Sequence, residues 1–180
     1  MFFHWLSPLR TLFASFPLML IPLAVWTTPA LTNPVSEQIA TRVMELQDSE
    51  ERWIEIDLTN QRLIAWEGRQ PVYAIIVSTG KDSTPTHPGT FTIQSKRRKD
   101  RMRGADYDLA NVPYAMYYHR GYAIHGAYWH RKFGTPVSHG CINVAVDHAE
   151  WLFDWASVGT PVVIHQGLEE FANDDIKSVE

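Results

Sequence analysis

Three short extended runs between residues 52 and 78, separated by only two or three residues of turn chemistry, constrain this chain more than any other feature. Ile54, Ile56 and Leu58 alternate with Glu55 and Asp57, the period of a strand with one covered face. Asn60 and Gln61 supply a turn, and residues 62–67 resume the extended pattern. Gly68 and Arg69 turn the chain again before residues 72–78. Connections this short can join only neighbouring strands, so the segment predicts a meander. Residues 81–89 contain Pro85, Pro88 and Gly89 and read as a loop. Further strands are expected at 89–94, at 114–119 and 122–125 around Arg120 and Gly121, and at 161–165. A single helix stands out: Ala149, Leu152, Phe153 and Ala156 recur at helical spacing. Asp147 is its expected cap, with Glu150 as capping-box partner, and Gly159 and Pro161 stop it.

The 180 residues favour one domain, and the first thirty stand apart. Arg10 precedes an apolar run over 12–26, and Thr28, Pro29 and Ala30 follow. That order reads as a secretory signal peptide. The run is shorter than the roughly 20 residues of a bilayer span and is broken by Pro17 and Pro22. A retained anchor and a buried N-terminal helix are the alternatives. Residues 31–51 read as a linker, with a short amphipathic helix over 32–47 as the other option. The folded part is expected at 52–166, followed by a polar acidic tail at 167–180. About 150 residues remain without the leader, enough to bury a core.

The net charge of −4 gives no reason to expect nucleic acid. The basic run Lys96, Arg97, Arg98, Lys99, Arg101 and Arg103 reads as a solvated loop or hairpin arm, with an anionic envelope polymer as the sharper alternative. Cys141 is the single cysteine, so no internal disulfide can form. An exported chain with one unpaired thiol has either a partner chain or a reactive group.

Cys141 lies in Ser138-His139-Gly140-Cys141-Ile142-Asn143, downstream of Ile124-His125-Gly126. A thiol reacts as thiolate, and a neighbouring imidazole can take its proton and hold the ion pair. His125 and His139 are both candidates. If 138–143 is extended, His139 and Cys141 share a side. Gly140 lets a substrate backbone approach closely, and the amides of Gly140 and Cys141 can hold an oxyanion. Ser138 and Asn143 can orient the loop through backbone hydrogen bonds.

With its upstream His-Gly and the Ser-His-Gly-Cys-x-Asn signature, the chain resembles the L,D-transpeptidases. The similarity takes in residues 53–58, the Ser78-Thr79-Gly80 turn, residues 84–92 and residues 112–116, and so runs from about Arg52 to His165. The resemblance implies a mainly β, compact sandwich or barrel-like catalytic fold with one helix after the catalytic loop. It implies Cys141 as the nucleophile on a peptidoglycan donor stem peptide, and His125 as the general base, its tautomer fixed by a backbone carbonyl near Gly126. It implies His139 in support, and the Gly140 and Cys141 amides with the Tyr114 hydroxyl at the oxyanion. A thioester would form, a D-amino residue would leave, and a diamino-acid amine on a second stem would resolve it. No cofactor or metal is implied, the location is periplasm or cell wall, and the chain is expected to be a monomer. Carbapenem sensitivity belongs to the same expectation.

Other readings stand beside this one. Tyr114 reads as a packing residue as readily as a donor. His130, His148 and His165 read as surface or structural, and Trp151 and Trp155 as packed. His125, His130, His139 and Cys141 lack the compact paired spacing of zinc sites. A wall-binding module would have no use for a Cys-His pair. Water in place of the amine would make the enzyme an L,D-carboxypeptidase.

Overall fold

A computed structural model of the chain describes Met1 and residues 34–167. Apart from Met1 and Gly167, the expected signal or anchor segment and the acidic tail lie outside the described residues. By internal contacts the chain divides into Met1–Leu31 and Thr32–Glu180, and every element named next belongs to the second unit. Among the described residues no helix is long and apolar enough to cross a membrane.

The meander forms as the alternation dictates. Strand β1 (Arg52–Asp57) pairs antiparallel with β2 (Arg62–Glu67), and β2 with β3 (Gln70–Ile76). Strand β4 (Gly89–Thr92) and the C-terminal β9 (Pro161–His165) complete one sheet in the order β3-β2-β1-β9-β4, with β1 and β9 parallel. The second sheet runs β5-β6-β7-β8, from β5 (Ser95–Arg103), β6 (Asp108–His119), β7 (Tyr122–Gly126) and β8 (Ile142–Val144), the last two parallel. Ile54 and Ile56 of the first sheet meet Met116, Ile124 and Ile142 of the second in one core, joined by Leu152 and Phe153 of helix α2 (Val146–Trp155). The mainly β architecture with a helix after the Cys141 loop is the one expected.

Three local expectations change. Of the linker and the amphipathic helix held open for residues 32–47, the structure has the helix, α1 (Pro34–Gln47), so the linker reading falls. Pro34 occupies the first helical position, where a missing N–H costs nothing. Ile39, Val43 and Leu46 fall on one stripe and are buried with Trp53 and Val163 on the outer face of the first sheet. Strand β1 is therefore covered on both faces, and Glu55 and Asp57 are buried. Glu55 accepts from Trp66 Nε1 at 2.8 Å and pairs with His165 Nε2 at 2.9 Å, the pairing that a buried carboxylate requires. Finally, α2 is capped by Ala145 without a side-chain bond, and Asp147 sits inside its first turn. There its charge faces the positive end of the helix dipole. At the other end, the Lys96 ammonium donates to the Phe153 and Ala156 carbonyls, occupying acceptors that a helix terminus leaves open.

The basic run is the arm of the β5–β6 hairpin. Arg97 pairs with Asp100 at 3.4 Å, Arg98 with Asp154 at 3.1 Å, and Arg101 and Arg103 with Asp108 at 2.5 and 3.5 Å. Three carboxylates, Asp100, Asp154 and Asp108, answer half of its six charges within the chain, which weakens the argument for an anion-binding stripe.

Candidate active site

Strand β7 carries His125, and the parallel neighbour β8 places Asn143 opposite it in register. Cys141 immediately precedes β8. Side chains alternate along a strand, and on β7 this sends Ile124 into the core while Ala123 joins a separate cluster with Met102, Val112 and Ala115. His125 shares the Ala123 face. There it lines a cleft of about 200 Å³ with Cys141, His139, Ser138 and Asn143, closed by Met102, Tyr107 and Leu109 of the β5–β6 hairpin and by Trp129. That volume is below the usual range for a drug-sized ligand, so it suits the reacting end of a chain molecule whose remainder stays outside.

The segment before β8 is not extended. Ser138 makes an isolated bridge with Gly80, and the backbone bends through 139–141 with Gly140 at φ 106°, a conformation that side chains resist. A Cβ there would lie 2.4 Å from the Tyr122 ring. His139 and Cys141 reach one cleft through this bend, not through strand alternation. Ser138 ties the bend together: its hydroxyl donates to the Cys141 carbonyl at 2.6 Å and accepts the Gly140 N–H at 3.0 Å. The Gly140 amide is thus occupied and is not an oxyanion donor in this geometry. The Cys141 N–H bonds to no protein group among the described residues.

His125 is buried, and its Nδ1 lies 3.1 Å from the Gly126 carbonyl. A carbonyl only accepts, so Nδ1 carries the proton and Nε2 offers its lone pair. Burial, the largest influence, pushes the imidazole pKa down to about 4; the Gly126 contact works against this, and nearby His130 adds to it. Burial likewise pushes the Cys141 thiol up, opposed by a bond from the Ala123 amide. Burial disfavours the charged form of each group.

His139 stands at the mouth of the cleft. Its Nε2 lies 3.0 Å from Asp106 Oδ2 and 3.5 Å from Lys81 Nζ, and its ring packs on Tyr107. Asn143 meets His130 Nε2 at 2.9 Å, with Ser78 bonded on both sides of its backbone. Trp129 lies 5.7 Å from the His125 ring. Tyr114 is not among the cleft residues. It packs on Phe153 and against the main core with Met116, at a φ of 55° where β6 departs from regular strand geometry, and Glu150 of α2 is the largest influence raising its hydroxyl pKa. The tyrosine that does line the cleft is Tyr107. Among the described residues no group of His, Cys, Asp and Glu is arranged to hold a metal ion.

Asp106, Tyr107 and Trp129 carried no sequence signal as site residues. The first two sit on a hairpin tip more than thirty residues before Cys141, and Trp129 lies in the loop that follows β7.

Residues 51–164 match the family described as the L,D-transpeptidase catalytic domain, YkuD. L,D-transpeptidase 1 of Mycobacterium tuberculosis is 35% identical over 99 residues, which cover 48% of this chain and 39% of the relative. The solved L,D-transpeptidase from Mycobacterium smegmatis superposes with a TM-score of 0.60 at 29% identity, covering 64% of this chain and 58% of that one. A mutant of the Enterococcus faecium L,D-transpeptidase gives a TM-score of 0.61 at 28% identity, covering 65% and 50%. The chain spans less than two thirds of the length of each of these relatives.

Proposed function

The chain belongs to the L,D-transpeptidase catalytic-domain family, and we propose that it is an exported cysteine acyltransferase that cross-links peptidoglycan stem peptides. The observation that carries this reading is the tautomer of His125: with Nδ1 held by the Gly126 carbonyl, Nε2 is a proton acceptor in the same small cleft as the Cys141 thiol.

In the first half-reaction the thiol proton passes to His125 Nε2 as sulfur attacks a donor-stem carbonyl. The Cys141 N–H faces the oxygen on which charge develops, a role worth several kcal/mol in comparable sites, about 3–4 per donor. Collapse breaks the peptide bond, and His125 returns the proton to the departing amine of a D-amino residue. The thioester is then attacked by a side-chain amine of a second stem; the C–N bond forms, the C–S bond breaks, and the thiol is restored. The N-terminal segment would act as a signal peptide that delivers a monomer to the periplasm or cell wall; a mature N-terminus near residue 31, read by mass spectrometry, is the expected trace.

The test is incubation of the purified protein with tetrapeptide stem fragments, followed by mass spectrometry, with Cys141→Ala as control. A cross-linked dimer or an exchanged terminal D-residue, absent from the control, is expected. A trimmed tripeptide alone would assign hydrolysis in place of transfer, and the lack of any Cys141-dependent product would overturn the reading.

A further inference from the structure

The loop between β3 and β4 reaches the Cys141 bend through two threonines. Thr84 Oγ1 donates to the Ser138 carbonyl at 3.0 Å, and Thr86 Oγ1 donates to the Gly140 carbonyl at 2.9 Å. The two contacts are chemically alike and differ in which peptide plane they hold. Thr86 holds the plane between Gly140 and Cys141. A trans peptide is rigid and planar, and its C=O and N–H point in opposite directions. A hydroxyl fixed on the Gly140 oxygen therefore fixes the direction of the Cys141 N–H, the nucleophile's own amide, which has no bond to a protein group among the described residues. Thr84 holds the plane between Ser138 and His139, whose N–H is that of His139, two residues before the nucleophile.

Thr86 is itself fixed. It is buried, and its oxygen accepts the Gly80 N–H at 2.9 Å, so its hydroxyl proton is committed to the Gly140 carbonyl. The loop is wound tightly enough that a Cβ on Gly80 would lie 2.2 Å from the Thr84 carbonyl oxygen and 2.6 Å from the Thr86 nitrogen. The relay Gly80 N–H to Thr86 hydroxyl to Gly140 carbonyl is thus built on closely packed backbone. Without it, no protein hydrogen bond among the described residues would hold the Gly140–Cys141 plane itself; the Ser138 hydroxyl holds only the planes on either side, through the Gly140 N–H and the Cys141 carbonyl.

We propose that Thr86 is a positioning residue for acyl transfer: by holding the Gly140 carbonyl it aims the Cys141 N–H at the oxyanion formed when the Cys141 sulfur attacks a carbonyl. The inference rests on the reading of Cys141 as the nucleophile, but not on the identity of the peptide substrate.

Two small electrophiles separate this role from a structural one. p-Nitrophenyl acetate acylates a thiol through a tetrahedral oxyanion and releases p-nitrophenolate. Iodoacetamide alkylates by displacement of iodide at carbon and forms no oxyanion. Both rates are measured on the full chain after subtraction of the Cys141→Ala background. Thr86→Val is expected to lower acylation by about 10–100-fold, less than outright removal of an oxyanion donor, with alkylation within about twofold and Thr86→Ser restoring acylation. Thr84→Val is expected to change neither rate by more than a few-fold. Equal losses in both reactions, equal effects of Thr84→Val and Thr86→Val, or failure of a folded Thr86→Ser to recover would each overturn the proposal. Should Thr86→Val not fold, Thr86→Ala is read in its place, since its shorter side chain leaves space for water on the Gly80 amide. A wild-type chain in which neither reagent reacts at Cys141 would instead contradict the nucleophile itself.

Discussion

His139 Nε2 and Asp106 Oδ2 lie 3.0 Å apart although 33 residues separate them, and the contact joins the tip of the β5–β6 hairpin to the bend that carries Cys141. The hydrogen bond from His139 is the largest influence holding the Asp106 carboxyl below the usual carboxylate range. A carboxylate with a depressed pKa contributes its contact above the unfolded value and loses it as pH falls through the folded one. Asp106→Asn is therefore expected to quicken amide hydrogen exchange across residues 104–107 several-fold at neutral pH without moving the melting temperature. The wild type should approach the variant once the pH drops below the carboxylate range. An unchanged exchange rate would mean that the tip is held by the Tyr107–His139 packing alone.

His125 sets the acid limb of activity. With its pKa near 4, against 6.5 for a free imidazole, the basic form persists well into acid, and kcat/KM should fall below about pH 4–5 and not near 6.5. The same shift links to stability. Between those two pH values the unfolded chain binds the proton that the folded chain refuses, so stability rises with pH across the window. It is fully present above 6.5, and about 3 kcal/mol is lost as pH falls to 4. His125→Asn should remove this slope in chemical denaturation and lower acylation of Cys141 by at least about 100-fold, the usual scale for a lost general base.

Ser138→Ala removes one oxygen that serves two backbone groups, the Gly140 N–H and the Cys141 carbonyl. Leaving buried groups unpaired costs about 1–3 kcal/mol, so the melting temperature should fall. Acylation should fall further than that loss explains, because the bend also positions the nucleophile. Ser138→Thr, which keeps the hydroxyl, should recover most of both; equal behaviour of the two variants would remove the hydroxyl from the argument.

Helix α1 belongs to the folded domain and not to a tether. Leu46 is fully buried against the outer face of the first sheet, and Leu46→Ala should cost about 2–5 kcal/mol. Thermal unfolding measures it. The cleft lies on the other sheet, so acylation by the folded fraction should be unchanged.

What was legible in the sequence was what is local. The first two meander strands could be bounded because alternation and turn residues mark them within a few positions, and the Ser138 to Asn143 signature marked the cleft because its residues are contiguous. Residues 32–47 left helix and linker open, since Ile39, Val43 and Leu46 gain nothing until Trp53 and Val163 form a surface for them. The same burial hid Glu55 and Asp57, which alternation assigns to solvent. Tyr114 and Tyr107 could not be told apart: Tyr114 sits at a positive φ of 55° within β6 and packs on Phe153, while Tyr107 reaches the cleft from the tip of the β5–β6 hairpin, and no local pattern marks either placement. Asp106 meets His139 through a hairpin whose length no local pattern fixes.

The most direct measurement is the intact mass of the protein mixed with a tetrapeptide donor and trapped by acid within the first turnover. A covalent adduct equal to the tetrapeptide less its terminal D-residue, mapped to the peptide containing residues 138–143 and absent from Cys141→Ala, is the expected result. Donor consumed without that adduct, at undiminished rate in Cys141→Ala, would contradict a thioester on Cys141.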